Sequence, residues 1–451
     1  MSKCPAKPKT TPFPGNLPAG VRWVISTLRR ANYQGYAVGG GVRDQLLNRE
    51  PKDWDIATNA TPVRIQQAFP KSVYANRFGT VGVKRGPDVY EVTTYRVESV
   101  YTDARHPDEV EFVKRLDDDL ARRDFTVNAI ATDGKELIDP FGGIGDLKQK
   151  LIRAVGNPNE RFAEDALRMM RAIRLAVELG FKVDPKTAEA INRNAERLKL
   201  VSPERIRDEF RRILASPAPE RGVRLLLKTR LVDVFLPELL EGDNFAQAKH
   251  HKDPVLEHNL LSLKHVPSPD PLVRLAALLH DVGKPQSARG QGARRTFHGH
   301  EVIGARMTKR IMRRLHFSTA DTDRVVNLVR HHMFLFQFES TDKAVRRIIR
   351  RTGVENIDDL VDLRVGDRLG SGCRVGYSQK LQLFKERVVE VQKDPIDTRM
   401  LKIDGNDLMK EFDQPPGPWL GETMDALLED VLDDPKRNTK RYLMKRAKEL
   451  V

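Results

Sequence analysis

Strand patterning is confined to the first part of this chain, and that confinement limits its fold more than any other feature. "YAVGGGVRD" reads as strand, glycine turn and helix start, and "WDIAT" as a short strand. "GTVGVKRGPDVYEVTTYR" alternates and turns at Gly86-Pro87 like a hairpin, and "VEFV" adds a further strand. Two segments of the same region have helical character: "VRWVISTLRRANYQ" (21–34), ahead of the first strand, and "TPVRIQQAF", opened by Thr61 with Pro62 in its first turn. After about residue 153 strand signals nearly vanish. "RFAEDALRMMRAIRLAVELG" reads as one amphipathic helix with Phe162, Ala166, Met169, Ile173 and Val177 in a stripe, stopped by Gly180. Helical patterns then run to the C-terminus, broken at "ASPAPE", "PSPDP" and "DQPPGPW". The pattern predicts an α/β domain ending near residue 153, followed by an all-α remainder.

A chain of 451 residues has room for two to four domains. No apolar run approaches the ~18–20 residues of a membrane span. The first twenty residues are basic and proline-rich without an apolar stretch, so they read as a disordered tail rather than a secretory signal. Cys4 and Cys373 give no disulfide framework, which points to a reducing cytoplasm. The formal net charge of +15 favours a polyanionic partner, chiefly nucleic acid, because phosphate contacts release counterions.

"VGGGVRDQLLNREPKDWDIAT" (38–58) joins a glycine turn to two aspartates one residue apart. A glycine turn lets backbone N–H groups approach a phosphate, and a following helix start adds positive potential. On an extended strand Asp53 and Asp55 leave the same face, with Trp54 and Ile56 pointing to the core. Two acceptor-only carboxylates held together call for a cation, and oxygen ligands of this kind suit Mg2+ with substrate phosphates. The chemistry would be phosphoryl or nucleotidyl transfer. Spacing alone leaves a tight turn and an ordinary exposed strand equally open.

"VGGGVRD" followed by "DWDIAT" resembles the head of class II tRNA nucleotidyltransferases (CCA-adding enzymes) and bacterial poly(A) polymerases, members of the DNA polymerase beta-like superfamily. "RRDFTVNAI", "DPFGGIGDL", "EDALRMMRAIR" and "SPERIRDEF" follow in the family's order over residues 36–215. The resemblance implies that Asp53 and Asp55 ligate catalytic Mg2+. It implies that Gly39, Gly40, Arg43 and Asp44 shape the triphosphate site, with Arg123, Asp124 and Asn128 near ribose and phosphates. A third carboxylate is expected on a neighbouring strand, with Glu91 first and Glu111 second.

Glu164, Asp165, Arg168, Arg171 and Arg174 on a helix could be only salt bridges and a basic stripe. The family reading makes Asp165, Arg168, Arg171 and Arg174 nucleotide-binding residues, and gives Asp165 and Arg168, three residues apart, a shared direction. A carboxylate accepts where cytosine N4 and adenine N6 donate, and a guanidinium donates where N3 and N1 accept. Uracil and guanine reverse that order and leave polar groups unpaired. Such a pair would select CTP and ATP without a nucleic-acid template. The loop "RVESVYTDARHPDEVEFV" (96–113) is undeleted, which in this family implies A addition.

Ten of the eleven histidines fall between His250 and His332. "VLEHNLLSL", "LAALLHDVGKP", "FHGHEVIGA", "LVRHHMF" and "RVGDRL" resemble the HD superfamily of metal-dependent phosphohydrolases. The resemblance makes His258, His280, Asp281 and Asp367 metal ligands, with His300 and His332 near a phosphate or second metal. Ni2+, Mn2+ or Co2+ would suit such a site.

The implied order is tail (1–20), nucleotidyltransferase head (21–153), neck (154–215), body (216–248), HD domain (249–370) and helical tail (371–451). The implied function is template-independent addition of C and A to the 3′ end of tRNA, with a second metal-dependent phosphohydrolase. The alternatives are an A-adding enzyme, a poly(A) polymerase, or an RNA-binding phosphohydrolase with an inactive head.

Overall fold

A computed structural model describes residues 10–76, 79–99, 109–247 and 253–451. The chain divides after Pro237 into two compact units.

The strands of the first unit, in chain order, are β1 (Thr10–Pro12), β2 (Tyr36–Val38), β3 (Asp55–Thr58), β4 (Ser72–Asn76), β5 (Thr80–Arg85), β6 (Asp88–Thr94), β7 (Arg96–Ser99), β8 (Glu109–Phe112), β9 (Ala131–Thr132), β10 (Glu136–Ile138), and a short parallel pair, β11 (Leu151–Ile152) and β12 (Lys182–Val183). Eight of them form a sheet ordered β1-β10-β9-β2-β3-β6-β5-β4, and β7 and β8 form a separate ribbon. Every neighbouring pair in the sheet is antiparallel except β3 and β6. The parallel pair needs a crossover, supplied by the helix Pro62–Ala68 and the β4–β5 hairpin. The hairpin expected at Gly86-Pro87 is present, with Arg85 opposite Asp88 and Gly86 at φ 63°.

The order begins earlier than the reading of residues 1–20 as a tail. Thr10–Pro12 pairs with β10, and Phe13 and Leu17 are buried. The apolar residues among the prolines have a sheet edge to close, which composition does not reveal. Residues 1–9 lie outside the described residues.

The helical stripe is buried as expected, with Gly180 in the left-handed region at its end. The single helix is broken, however. One helix covers Pro158–Glu164, Asp165 is extended (φ −141°, ψ 105°), and the neck helix runs Leu167–Leu179. The Asp165 carboxylate accepts the Leu167 N–H, so this side chain competes with its own backbone and starts a new helix.

The second unit is helical. The helix Val255–His265 lies so close to Ile357–Gly370 that a Cβ on Gly370 would come 2.5 Å from Ser262 Oγ. Pro271–Leu279, His300–Arg314 and Thr319–His331 complete the bundle around the histidines. Residues 401–447 bury a separate apolar cluster around Leu408, Leu427, Val431 and Leu443. Among the described residues no helix is long and apolar enough to cross a membrane.

Candidate functional site

The glycine turn and the carboxylates meet at the centre of the sheet. β2 ends at Val38, whose register partner is Asp55, the first residue of β3. Gly39 has φ 77°, and a Cβ there would stand 2.9 Å from Arg123 Nη1 and 3.3 Å from Asp55 Oδ2. Gly41 is needed for a different reason: its Cβ would strike the Asp53 carbonyl at 2.9 Å and the Trp54 ring at 2.9 Å. The turn is glycine-rich because the acidic segment passes directly over it.

Two details differ from the expected strand. Asp53 precedes β3 rather than lying on it, and Trp54 is half-buried over Gly41 instead of entering the core. Ile56 is fully buried as expected. Asp55 is the register partner of Glu91 on β6, one parallel strand spacing away. Glu111, the second candidate, pairs with Val97 in the separate ribbon.

Asp55 reaches solvent, but the protein around it removes enough water to push its carboxyl up; Arg123 opposes the rise and Asp53 adds to it. Burial likewise raises Glu91, reinforced by Asp55 and then Asp53. Asp55 and Glu91, both raised by burial and by the neighbouring acids, form with Asp53 a donor set short of positive charge, and all-oxygen donors fit Mg2+.

A hydrogen-bonded line leaves this cluster. Arg43 binds Asp44 through Nε (2.8 Å) and Asn128 Oδ1 through Nη1 (2.7 Å). Asn128 donates to Asp124 Oδ1 (3.1 Å), and Asp124 Oδ2 receives Arg171 Nε (2.9 Å) and Nη2 (2.6 Å). Burial alone would raise Asp124. Arg171, the Asn128 hydrogen bond and Arg168 outweigh it and hold the carboxyl at about 2.

The neck residues are held by partners that sequence reasoning did not assign. Asp165 Oδ2 pairs with Arg205 at 2.8 Å. Arg168 binds Glu164 at 2.5 Å and the carbonyls of Arg161 and Arg122 at 3.3 and 3.2 Å. Among the described residues this leaves its Nε–H and one Nη2–H unclaimed. Arg174 departs from the expected nucleotide contact: it is buried, with Glu209 at 2.6 Å and Glu178 at 2.7 Å taking its guanidinium. Buried Asp119 was also missed; it binds Arg122 at 2.8 Å and Arg123 at 3.5 Å. Arg205 and Glu209 lie inside "SPERIRDEF", so the segment was visible although its two pairing side chains were not.

The second unit brings together all four expected metal ligands. His258 Nε2 lies 3.1 Å from His280 Nε2 and 3.3 Å from both Asp281 Oδ2 and Asp367 Oδ1. His280 Nε2 is 3.4 Å from Asp281 Oδ2 and 3.8 Å from Asp367 Oδ1. These separations suit the edges of a coordination shell with bonds of ~2.0–2.2 Å, and the N/O donor set fits a first-row divalent metal.

Asp281 faces two groups. Its other oxygen, Oδ1, is 3.4 Å from His300 Nε2 and 3.7 Å from His332 Nε2, and those nitrogens are 3.3 Å apart. The Nδ1 atoms of His280, His300 and His332 lie 2.8, 2.8 and 2.7 Å from the carbonyls of Ala277, Phe297 and Val329. Donation there fixes the tautomer and turns each Nε2 lone pair inward, as metal-bound histidines require.

Burial depresses His258, but Asp281 and Asp367 outweigh it and raise the imidazole to about 9. Burial also raises Asp281, yet His280, Lys284 and hydrogen bonds from both imidazoles hold it well below the usual carboxylate range. Lys284 Nζ bonds Asp281 Oδ2 at 2.5 Å and Gln247 Oε1 at 2.7 Å. Arg364 bonds Asp367 Oδ2 at 2.8 Å. A cavity of about 580 Å³ opens onto Asp281, His300, His332, Lys284, Arg364 and Phe297.

Profiles of three families match the chain: "Poly A polymerase head domain" over residues 35–153, "Probable RNA and SrmB- binding site of polymerase A" over 180–242, and "HD domain" over 260–369. The CCA-adding enzyme of Ligilactobacillus salivarius is 34% identical over 439 residues, covering 95% of each chain. The A-adding tRNA nucleotidyltransferase of Deinococcus radiodurans is 36% identical over 409 residues, covering 87% of this chain and 90% of that one. Other CCA-adding enzymes match at 49% identity, but the chain spans only about half their length. The CCA-adding enzyme of Bacillus stearothermophilus, solved in complex with CTP, superposes with a TM-score of 0.70 at 28% identity, covering 95% of this chain and 97% of that one.

Proposed function

The chain belongs to the CCA-adding enzyme family of tRNA nucleotidyltransferases, and we propose that it adds C and A to the 3′ end of tRNA from CTP and ATP. The observation that carries this reading is the register of Asp55 against Glu91, with the Asp53 carboxylate pushing both carboxyls up and Arg123 facing Asp55 over Gly39. Asp53, Asp55 and Glu91 would hold Mg2+, which supplies charge neutralisation at the triphosphate when bound.

The chain's own residues do the rest. Gly39 and Gly40 leave room for phosphate oxygens, and Arg43, Arg123 and Asn128 supply donors around them. Asp124 orients Asn128 on one side and Arg171 on the other. The RNA 3′-oxygen attacks the α-phosphorus as the bond to the bridging oxygen breaks and pyrophosphate leaves. Asp165, fixed by Arg205 and the Leu167 N–H, accepts from the amino group of cytosine or adenine. Arg168, fixed by Glu164 and two carbonyls, donates to the adjacent ring nitrogen. Arg174 acts further back, tying the neck helix to Glu209.

In the second unit His258, His280, Asp281 and Asp367 would hold a divalent metal such as Ni2+, Mn2+ or Co2+. Asp281, His300 and His332 would hold a second ion or the substrate phosphate. A metal held there would supply activation of water toward a phosphoester, and Lys284 and Arg364 help keep Asp281 and Asp367 ionised. The tRNA-processing relatives support a cytoplasmic location.

The test uses purified protein, Mg2+ and tRNA transcripts lacking CCA, ending in C, or ending in CC, each with CTP and ATP singly and together. Completion of all three at CCA, and arrest there, supports the reading. A single A gained only by the CC-ended transcript would make this an A-adding enzyme. Long A tails would make it a poly(A) polymerase, and no addition would sink the head's proposed role.

A further inference from the structure

The helix His300–Arg314 has two unlike faces. One buries His300, Gly304, Met307, Thr308 and Ile311 in the bundle. The other exposes Arg306, Lys309, Arg310 and Arg313, at i, i+3, i+4 and i+7. The four cations make a stripe ~10 Å long. Among the described residues none of them forms a side-chain hydrogen bond or ion pair. The contrast with neighbouring positions is sharp: Arg314 is closed onto Glu238 at 2.7 Å, and Arg324 onto Asp359 at 2.6 Å and Asp270 at 2.8 Å. The one acid on the helix, Glu301, sits at its far end and pairs with Arg330 at 3.2 Å.

Four unneutralised cations in one row repel one another, so the face favours an anion with several regularly spaced charges. Its composition narrows the choice. The row contains no aromatic side chain on which a base could stack, as single-stranded RNA binding generally uses. It has no apolar flank for a lipid interface either, because Ala305, Met307, Ile311 and Met312 are all buried. What fits is the sugar–phosphate backbone of a base-paired RNA, recognised by shape and charge.

We propose that this face of the helix, opposite the one carrying His300, docks the duplex backbone of tRNA onto the second unit. The inference rests on the tRNA reading above and adds a contact surface outside both chemical sites.

The experiment measures binding of a labelled tRNA transcript lacking CCA to the full chain over a range of salt. The wild type is compared with a variant carrying Arg306→Gln, Lys309→Gln, Arg310→Gln and Arg313→Gln. The variant is expected to bind at least about tenfold more weakly at low salt, with a slope of log K against log salt shallower by about three to four. Binding of an unstructured RNA oligonucleotide should stay the same. Hydrolysis of a small 2′,3′-cyclic nucleotide, and the thermal midpoint, report that the variant's second unit is folded. Equal tRNA affinity and slope in both proteins would overturn the proposal, and an equal loss on the unstructured oligonucleotide would overturn its duplex assignment. Wild-type protein that fails to bind tRNA at all would instead remove the tRNA reading on which it rests.

Discussion

Asp124 and Arg171 are joined by two bonds, of 2.9 and 2.6 Å, that tie the loop after the second arginine of "RRDFTVNAI" to the neck helix. The same carboxylate holds Asn128, which holds Arg43. One buried acid thus aligns residues expected at the triphosphate with a helix expected to read the base.

The ionisation of Asp124 should therefore matter to stability. Its folded pKa, about 2, lies below the unfolded value. The stabilisation is then complete above the unfolded value of ~3.9 and is lost as pH falls toward 2. Asp124→Asn should cost on the order of 2 kcal/mol at neutral pH and flatten this part of the acid limb. Denaturant melts of both proteins between neutral pH and pH 3 provide the check. Parallel acid limbs would contradict it.

Asp55→Ala should reduce nucleotide addition by about a hundredfold or more, and Glu91→Gln by a comparable factor, because each removes charge where the triphosphate is neutralised. Glu111→Gln should have little effect. Single-turnover extension of a CC-ended tRNA separates the two glutamates. Hydrolysis of a small phosphoester by the second unit should remain in all three variants.

Arg168→Ala should weaken discrimination more than it weakens folding. With the donor gone, the ratio of kcat/KM for CTP over UTP should fall by about ten- to a hundredfold. Arg205→Ala should shift the same ratio in the same direction, since Arg205 fixes Asp165. An unchanged ratio in Arg205→Ala would show that the Leu167 N–H alone orients the carboxylate.

The two-sided role of Asp281 gives a stoichiometry. Protein reconstituted with Mn2+ or Ni2+ and freed of excess metal should carry two ions per second unit if both donor groups bind metal. His300→Ala with His332→Ala should leave one, and His258→Ala should remove the more tightly held ion. Metal analysis and equilibrium dialysis read this without reference to turnover. One ion in the wild type, kept in the double variant, would assign His300 and His332 to the phosphate instead.

Gly283 offers a test of packing beside the same centre. Its backbone is ordinary, but a Cβ would meet the His300 carbonyl at 2.3 Å and the Gly304 nitrogen at 2.5 Å. Gly283→Ala should cost about 1–3 kcal/mol and move the helix that begins at His300. Calorimetry together with metal affinity would register both effects.

Much of this molecule was legible along the chain because the relevant physics is local. Glycines mark where the backbone must turn or be approached, alternation marks strands, and the 3.6-residue stripe from Phe162 to Val177 marks a buried helix face. Asp53 with Asp55, and His280 with Asp281, are close in sequence, so their shared chemistry could be read directly. His258 and Asp367, distant from that pair along the chain, were expected as ligands only through the resemblance to the HD superfamily.

What the tertiary structure decided were pairings between distant segments. Register across a parallel strand pair set Glu91 beside Asp55 and left Glu111 in a separate ribbon, because β6 pairs with β3 and β8 does not. The enclosure of Arg174 by Glu209 and Glu178 turned an expected nucleotide contact into a structural tie. Asp165 broke a helix that periodicity had drawn as continuous, because its carboxylate found the Leu167 N–H and Arg205. Spacing along a chain fixes which way a side chain leaves its own element; which partner it meets depends on how separate elements pack, and that is a property of the folded whole.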